Sequence, residues 1–216
     1  MSGSIEVLIS KDTKRFKEKA ASINESLEAY GIPRYEPNYN FEAELKRDKI
    51  RLFSVYDAPG IDLYRSNKAI LRRLKTIAIE LEFDPNWTAE SDALFVGEPI
   101  DNDLLKEVFG EKQSHFILHW DITEYYVPVS FNDVSVPDWF LWTIGSSINL
   151  RDELQEIADK LKFNLGNYTP DFQMLYEERF DELVDDTLFF EKFMLLKIYN
   201  MALGSVKHNL LIEINS

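Results

Sequence analysis

His115, His119 and Asp121 are the residues whose types best suit a metal. Imidazole and carboxylate are ordinary zinc or iron ligands. Offsets of four and two residues put all three on one face of an extended segment. At the usual rise per residue they spread over about 20 Å, so they could share one ion only across a bulge. The plainer reading is a pair of hydrogen-bonded histidines beside a turn aspartate. His208 lies on the apolar side of an alternating segment and reads as a core histidine. Gly145-Ser146-Ser147 precedes a helical pattern. Free amide donors there could meet an anion, or Ser146 could act as a nucleophile, but serine at such a place is first of all a helix cap. Trp139 and Trp142 stand three apart beside Asp138 and could line an aromatic pocket, although aromatics at 13% of the chain belong mainly to a core.

Other chemistry is excluded by spacing. The eight glycines never come closer than thirteen residues. Phosphate-cradling loops need clustered glycine, so neither the dinucleotide fingerprint nor the P-loop is present. With no cysteine, thiol nucleophiles, thiolate zinc sites and iron–sulfur clusters are all absent. No cofactor is expected, and the balance leans away from an enzyme.

The charge pattern is more informative. The 216 residues carry a net charge of −14. From Asp171 to Glu191 there are eight acids and one base, Arg179. Glu177, Glu178, Asp181, Glu182 and Asp185 recur at helical spacing, while Phe172, Leu175, Tyr176, Phe180, Leu183 and Val184 fall mostly on the other face. The five acids therefore point to solvent or to a basic partner. Two basic runs could answer them within the molecule: Lys11, Lys14, Arg15, Lys17 and Lys19, or Arg65, Lys68, Arg72, Arg73 and Lys75. Acidity of this degree repels phosphate, which argues against nucleic acid and anionic membrane as partners.

The elements that position these residues follow from periodicity. A strand is expected at 4–9 and a helix from Ser10 or Asp12 to Tyr30. A strand at 50–56 and a turn at 58–60 follow, then a helix from Ser66 to Glu82, a strand at 93–97 and a helix at 102–109. Residues 114–120 and 125–131 read as a hairpin, with Pro128 keeping the second strand at an edge or bulge. Helices are expected at 149–162, 171–185 and 187–203, the last ended by Gly204, and a strand at 206–214. The helix at 187–203 is apolar almost all round, so it belongs at the centre of a core, or else at a homodimer interface. Residues 66–83 and 146–163 align at an offset of 80, a weak sign of internal duplication.

These readings combine into a single α+β domain over 1–216, with a mixed sheet of five or six short strands, about five helices and the apolar helix central. The N-terminus has no signal-peptide pattern and the longest uncharged run, Trp139 to Leu150, is too short to span a bilayer, so a cytoplasmic location is expected. In acidity and lack of catalytic motifs the chain resembles toxin-neutralising immunity proteins. That implies a non-enzymatic interaction module whose Glu177, Glu178, Asp181, Glu182 and Asp185 neutralise or scaffold a basic protein. The competing readings are a metal-dependent hydrolase using His115 and His119, and a small-molecule binder with an aromatic pocket.

Overall fold

Alternation along short β-branched and aromatic strands sends neighbouring side chains to opposite faces of a sheet, and here both faces are covered. The computed structural model describes residues 4–8, 13–39, 67–84, 86–89, 114–117, 123–132, 142–169 and 172–215. Their elements run β1 (Ser4–Leu8), α1 (Thr13–Ala29), α2 (Asn67–Phe83), β2 (Thr123–Val127), β3 (Trp142–Ser146), α3 (Ser147–Lys160), α4 (Phe172–Leu183), α5 (Phe189–His208) and β4 (Leu211–Asn215). The sheet order is β1-β4-β2-β3. β4 is antiparallel to both β1 and β2, and β2 is parallel to β3. The class is thus α+β with a mixed sheet, carrying four strands among the described residues where five or six were expected. The expected elements at 50–56, 58–60, 93–97 and 102–109 lie outside the described residues.

Tyr125 and Val127 of β2, Ile144 of β3 and Leu211 of β4 pack with Phe16, Ala20, Ile23 and Leu27 of α1. On the other face Tyr126, Ile212 and Ile214 meet the larger layer formed by α2, α3, α4 and α5. α5 lies at the centre of that layer, packed against α2, α3, α4 and β4. Leu195, Ile198 and Ala202 are wholly enclosed, as expected for a helix apolar all round.

The structure departs from the sequence reading in four places, each with a local cause. Gly204 does not end α5. It lets the helix pass close to Tyr168, whose ring would stand 3.3 Å from an added Cβ. The helix ends at Asn209, which takes the left-handed conformation (φ 57°) and returns its N–H to Ser205. His208 is therefore helical, and the last strand is Leu211–Asn215. The expected hairpin is not formed either: 114–117 is a turn, because Ser114 Oγ and the Glu153 carboxylate take the N–H groups of His115, Phe116 and Ile117 that a ladder would need. β2 pairs instead with β3, a strand that the sequence reading took for an aromatic patch. Consequently β2 is interior, and Pro128 lies just past its end rather than at an edge.

Charged groups enter the core only as partners. Lys75 Nζ lies 3.0 Å from Glu124 Oε1 with both side chains enclosed, and the Tyr126 hydroxyl stands 2.8 Å from Glu124 Oε2. Arg73 reaches the buried Glu191 at 3.2 Å. Among the described residues no helix is long and apolar enough to cross a membrane.

Candidate acidic interface

α4 is held from one side only, and that asymmetry creates the surface. Leu175 and Leu183 are buried. Tyr176 meets Phe180 at 5.1 Å and Phe193 at 5.3 Å between ring centroids, and Phe180 meets Phe189 at 5.9 Å. The approach to α4 is tied to α5 by Asn200, which accepts from Thr169 N at 3.0 Å and donates to Thr169 O at 2.5 Å. Past Leu183 the chain stays helical for a step, with Val184 N bonded to Phe180 O. Asp186 then accepts from Leu188 N at 2.8 Å and from Lys192 Nζ at 2.6 Å, starting α5. Partial burial pushes the Asp186 carboxyl up, but the Lys192 and Leu188 bonds and the lysine charge outweigh it and hold the group below its ordinary range.

With the inner face spent on packing, Glu177, Glu178, Asp181, Glu182 and Asp185 are all exposed, as their spacing predicts. Val184, expected on the apolar side, is exposed as well. Arg179 is the one base among them. It donates to Glu182 at 2.8 Å and to Asn164 O at 2.6 Å and lies over the Phe163 ring at 5.1 Å. Five acids less one base leave four net charges over nine residues. At a helical rise of about 1.5 Å per residue that is roughly one net charge per 3 Å. One DNA strand carries one per about 3.4 Å of axis, and both strands together one per about 1.7 Å.

The basic runs do not answer this face. Among the described side chains of the second run, Arg73 and Lys75 turn inward to Glu191 and Glu124. From the first, Lys19 bonds the Tyr125 hydroxyl at 2.5 Å and Lys17 lies over the Tyr39 ring. The side chains of Lys11, Lys14, Arg15, Arg65 and Lys68 lie outside the described residues.

The remaining candidates are placed as follows. The His115 ring is built into the fold: Nδ1 accepts from Ser146 N at 3.0 Å, and Nε2 lies 3.0 Å from Phe131 O and 3.1 Å from Asn149 Nδ2. That pattern fits a neutral ring with its proton on Nε2. His119 and Asp121 lie outside the described residues. Among the described residues no three of His, Asp and Glu gather as a metal site. Ser146 is the N-cap of α3, accepting from Asn149 N at 3.1 Å. Trp139 and the Trp142 side chain lie outside the described residues. One buried acid escaped the sequence reading. Glu153 on α3 accepts from Ser114 Oγ at 2.6 Å, His115 N at 2.7 Å and Phe116 N at 2.9 Å. Burial pushes its carboxyl up, and these three bonds only partly offset the shift.

Fold and surface together define an acidic α+β protein that packs its apolar mass behind one helix and turns a dense row of carboxylates outward. Over residues 4–214 the chain matches the family described as "Putative DNA-mimic protein", and it belongs to that family. No curated protein and no solved structure matches it. Membership corrects two expectations drawn from charge alone. The general module for a basic protein, with its hydrolase and small-molecule alternatives, gives way to a function defined by DNA. The dismissal of nucleic acid also fails: like charge with phosphate, taken as repulsion, is the property by which a protein can imitate it.

Proposed function

We propose that this chain occupies the DNA-binding surface of another protein, with the α4 carboxylates standing where phosphates would lie. The observation that carries the reading is the α4 row, whose charge spacing of about 3 Å falls within the range of DNA. Family membership supports it independently. A surface of lysine and arginine built for phosphates accepts carboxylates by the same charge-assisted bonds. Association would then be fast, salt-sensitive and exclusive with DNA. Glu177, Glu178, Asp181, Glu182 and Asp185 are the residues assigned to that contact.

The test uses the immobilised full chain and a lysate of its native host. Retained proteins should be released by added DNA at constant ionic strength, should bind DNA themselves in a mobility-shift assay, and should lose that DNA when free chain is added. The Glu178→Lys, Asp181→Lys double variant should retain far less. Retention that DNA leaves untouched, or that the double reversal leaves intact, overturns the reading.

A further inference from the structure

Resting on the DNA-mimic reading, we infer that the α4 face imitates a single strand and fits the groove of a single-strand-binding protein. The first reason is density. The α4 row has about one net charge per 3 Å, near one strand (about 3.4 Å) and well short of a duplex (about 1.7 Å). The neighbouring acidic stripe on α3, Asp152, Glu156 and Asp159, does not supply an equal second row. Arg151 pairs with Asp152 at 2.6 Å, and Lys160 beside Asp159 pairs with Glu82.

The second reason is the apolar content of the row. At 3.6 residues per turn, Met174, Glu178, Asp181 and Asp185 fall within an arc of about 60°. Met174 is 52% exposed and Val184, at the other end, 47%. A thioether and an isopropyl group thus bracket the carboxylates on the outward side of the helix. Grooves for single strands combine a basic track for the backbone with aromatic side chains on which bases stack. Methionine makes favourable contacts with aromatic rings and adapts to their position. Surfaces that grip a duplex by its phosphates offer cationic and polar contacts but need no such platforms. The complementarity is therefore twofold, carboxylates to the basic track and Met174 and Val184 to the aromatic platforms.

The experiment elutes proteins held by the immobilised full chain with oligo-dT of about 16 nucleotides, or with duplex of the same total phosphate, at one salt concentration. Single strand should release them at about tenfold lower phosphate concentration than duplex. The Met174→Ser, Val184→Ser double variant should weaken retention several-fold without changing its salt dependence, since no charge is lost. Both positions are exposed, and an unchanged unfolding midpoint confirms an intact fold. Release by duplex as readily as by single strand, or unaltered retention by the double variant, overturns the inference while leaving the DNA-mimic reading in place. Absence of any retention, or of release by either nucleic acid, sinks both.

Discussion

Asp181 is four residues from Glu177 and four from Asp185, so it sits in two like-charge pairs on the outward face of α4. Each such pair costs about 0.2–0.5 kcal/mol on an exposed helix at low salt. Replacing Asp181 with Asn removes both while keeping size and shape, so the variant should gain about 0.4–1 kcal/mol of stability. Neither pair has the relief given to Glu182 by Arg179 or to Asp186 by Lys192. The gain should fade as the screening length falls from about 10 Å at 0.1 M salt to about 3 Å at 1 M. Urea unfolding at the two salt concentrations measures it directly. The same substitution should weaken retention of the DNA-binding partner, so stability and binding move in opposite directions. If Asp181→Asn is no more stable at low salt, or if its gain persists at 1 M, the row is not under mutual repulsion and the charge-density argument fails with it.

Other perturbations test the scaffold. Lys75→Met leaves Glu124 enclosed without its cation and should cost about 3–5 kcal/mol, whereas Lys75→Met with Glu124→Gln should cost clearly less; denaturant unfolding separates them. Leu195→Ala in the fully buried stretch of α5 should cost about 2–5 kcal/mol by the same measurement. Ser146→Ala removes the α3 cap bond and should cost about 1 kcal/mol. For pH the two perturbed acids carry opposite signs. Folding raises the Glu153 pKa, so its ionised form opposes folding and stability should rise as pH falls from neutral through the folded value, an increment that Glu153→Gln should abolish. Folding lowers the Asp186 pKa, so its contribution is complete above the unfolded value and is lost as pH falls through the folded one; Asp186→Asn should remove it at neutral pH.

The helices were readable because their stripes repeat every three or four residues over a dozen positions or more. The same periodicity exposed the carboxylate row of α4, since acids at i and i+4 share a face whatever the tertiary setting. What escaped reading depended on distant partners. Strand β3 is a five-residue segment, Trp142–Ser146, with a glycine in it, and it becomes a strand only through its ladder with β2. Residues 114–117 look extended in sequence, but Glu153, nearly forty positions away, claims their amides. Gly204 reads as a stop unless the Tyr168 ring pressed against it is known. Val184 follows the apolar pattern of α4 but falls at the exit of the helix, where no neighbour covers it. The DNA connection escaped for a different reason. Net charge gives the sign of a preferred partner, but it does not separate a protein that attracts cations in general from one whose charges are spaced like phosphates.

That spacing demands a particular use of the basic residues. A chain with 24 lysines and arginines could blur any acidic face by leaving cations beside it. Here the cations nearest the helical layer are drawn in or folded down. Lys75 and Arg73 end on buried carboxylates, and Lys197 is enclosed within α5. Arg179 and Lys192 both lie over the Phe163 ring, at 5.1 and 5.7 Å, while bonding Glu182 and Asp186. Each ion pair leaves the net charge unchanged but moves the positive end away from the outward surface. The potential above α4 is therefore more negative than composition alone implies, and it is fixed by packing rather than by mobile side chains. A rigid array of charge suits a partner whose own cations are already placed for phosphates, because little ordering remains to be done at binding. In this reading the enclosed helix α5 has a functional role without touching a partner. It anchors the aromatic ladder beneath α4, so the carboxylate row keeps its spacing when the repulsion along it favours fraying.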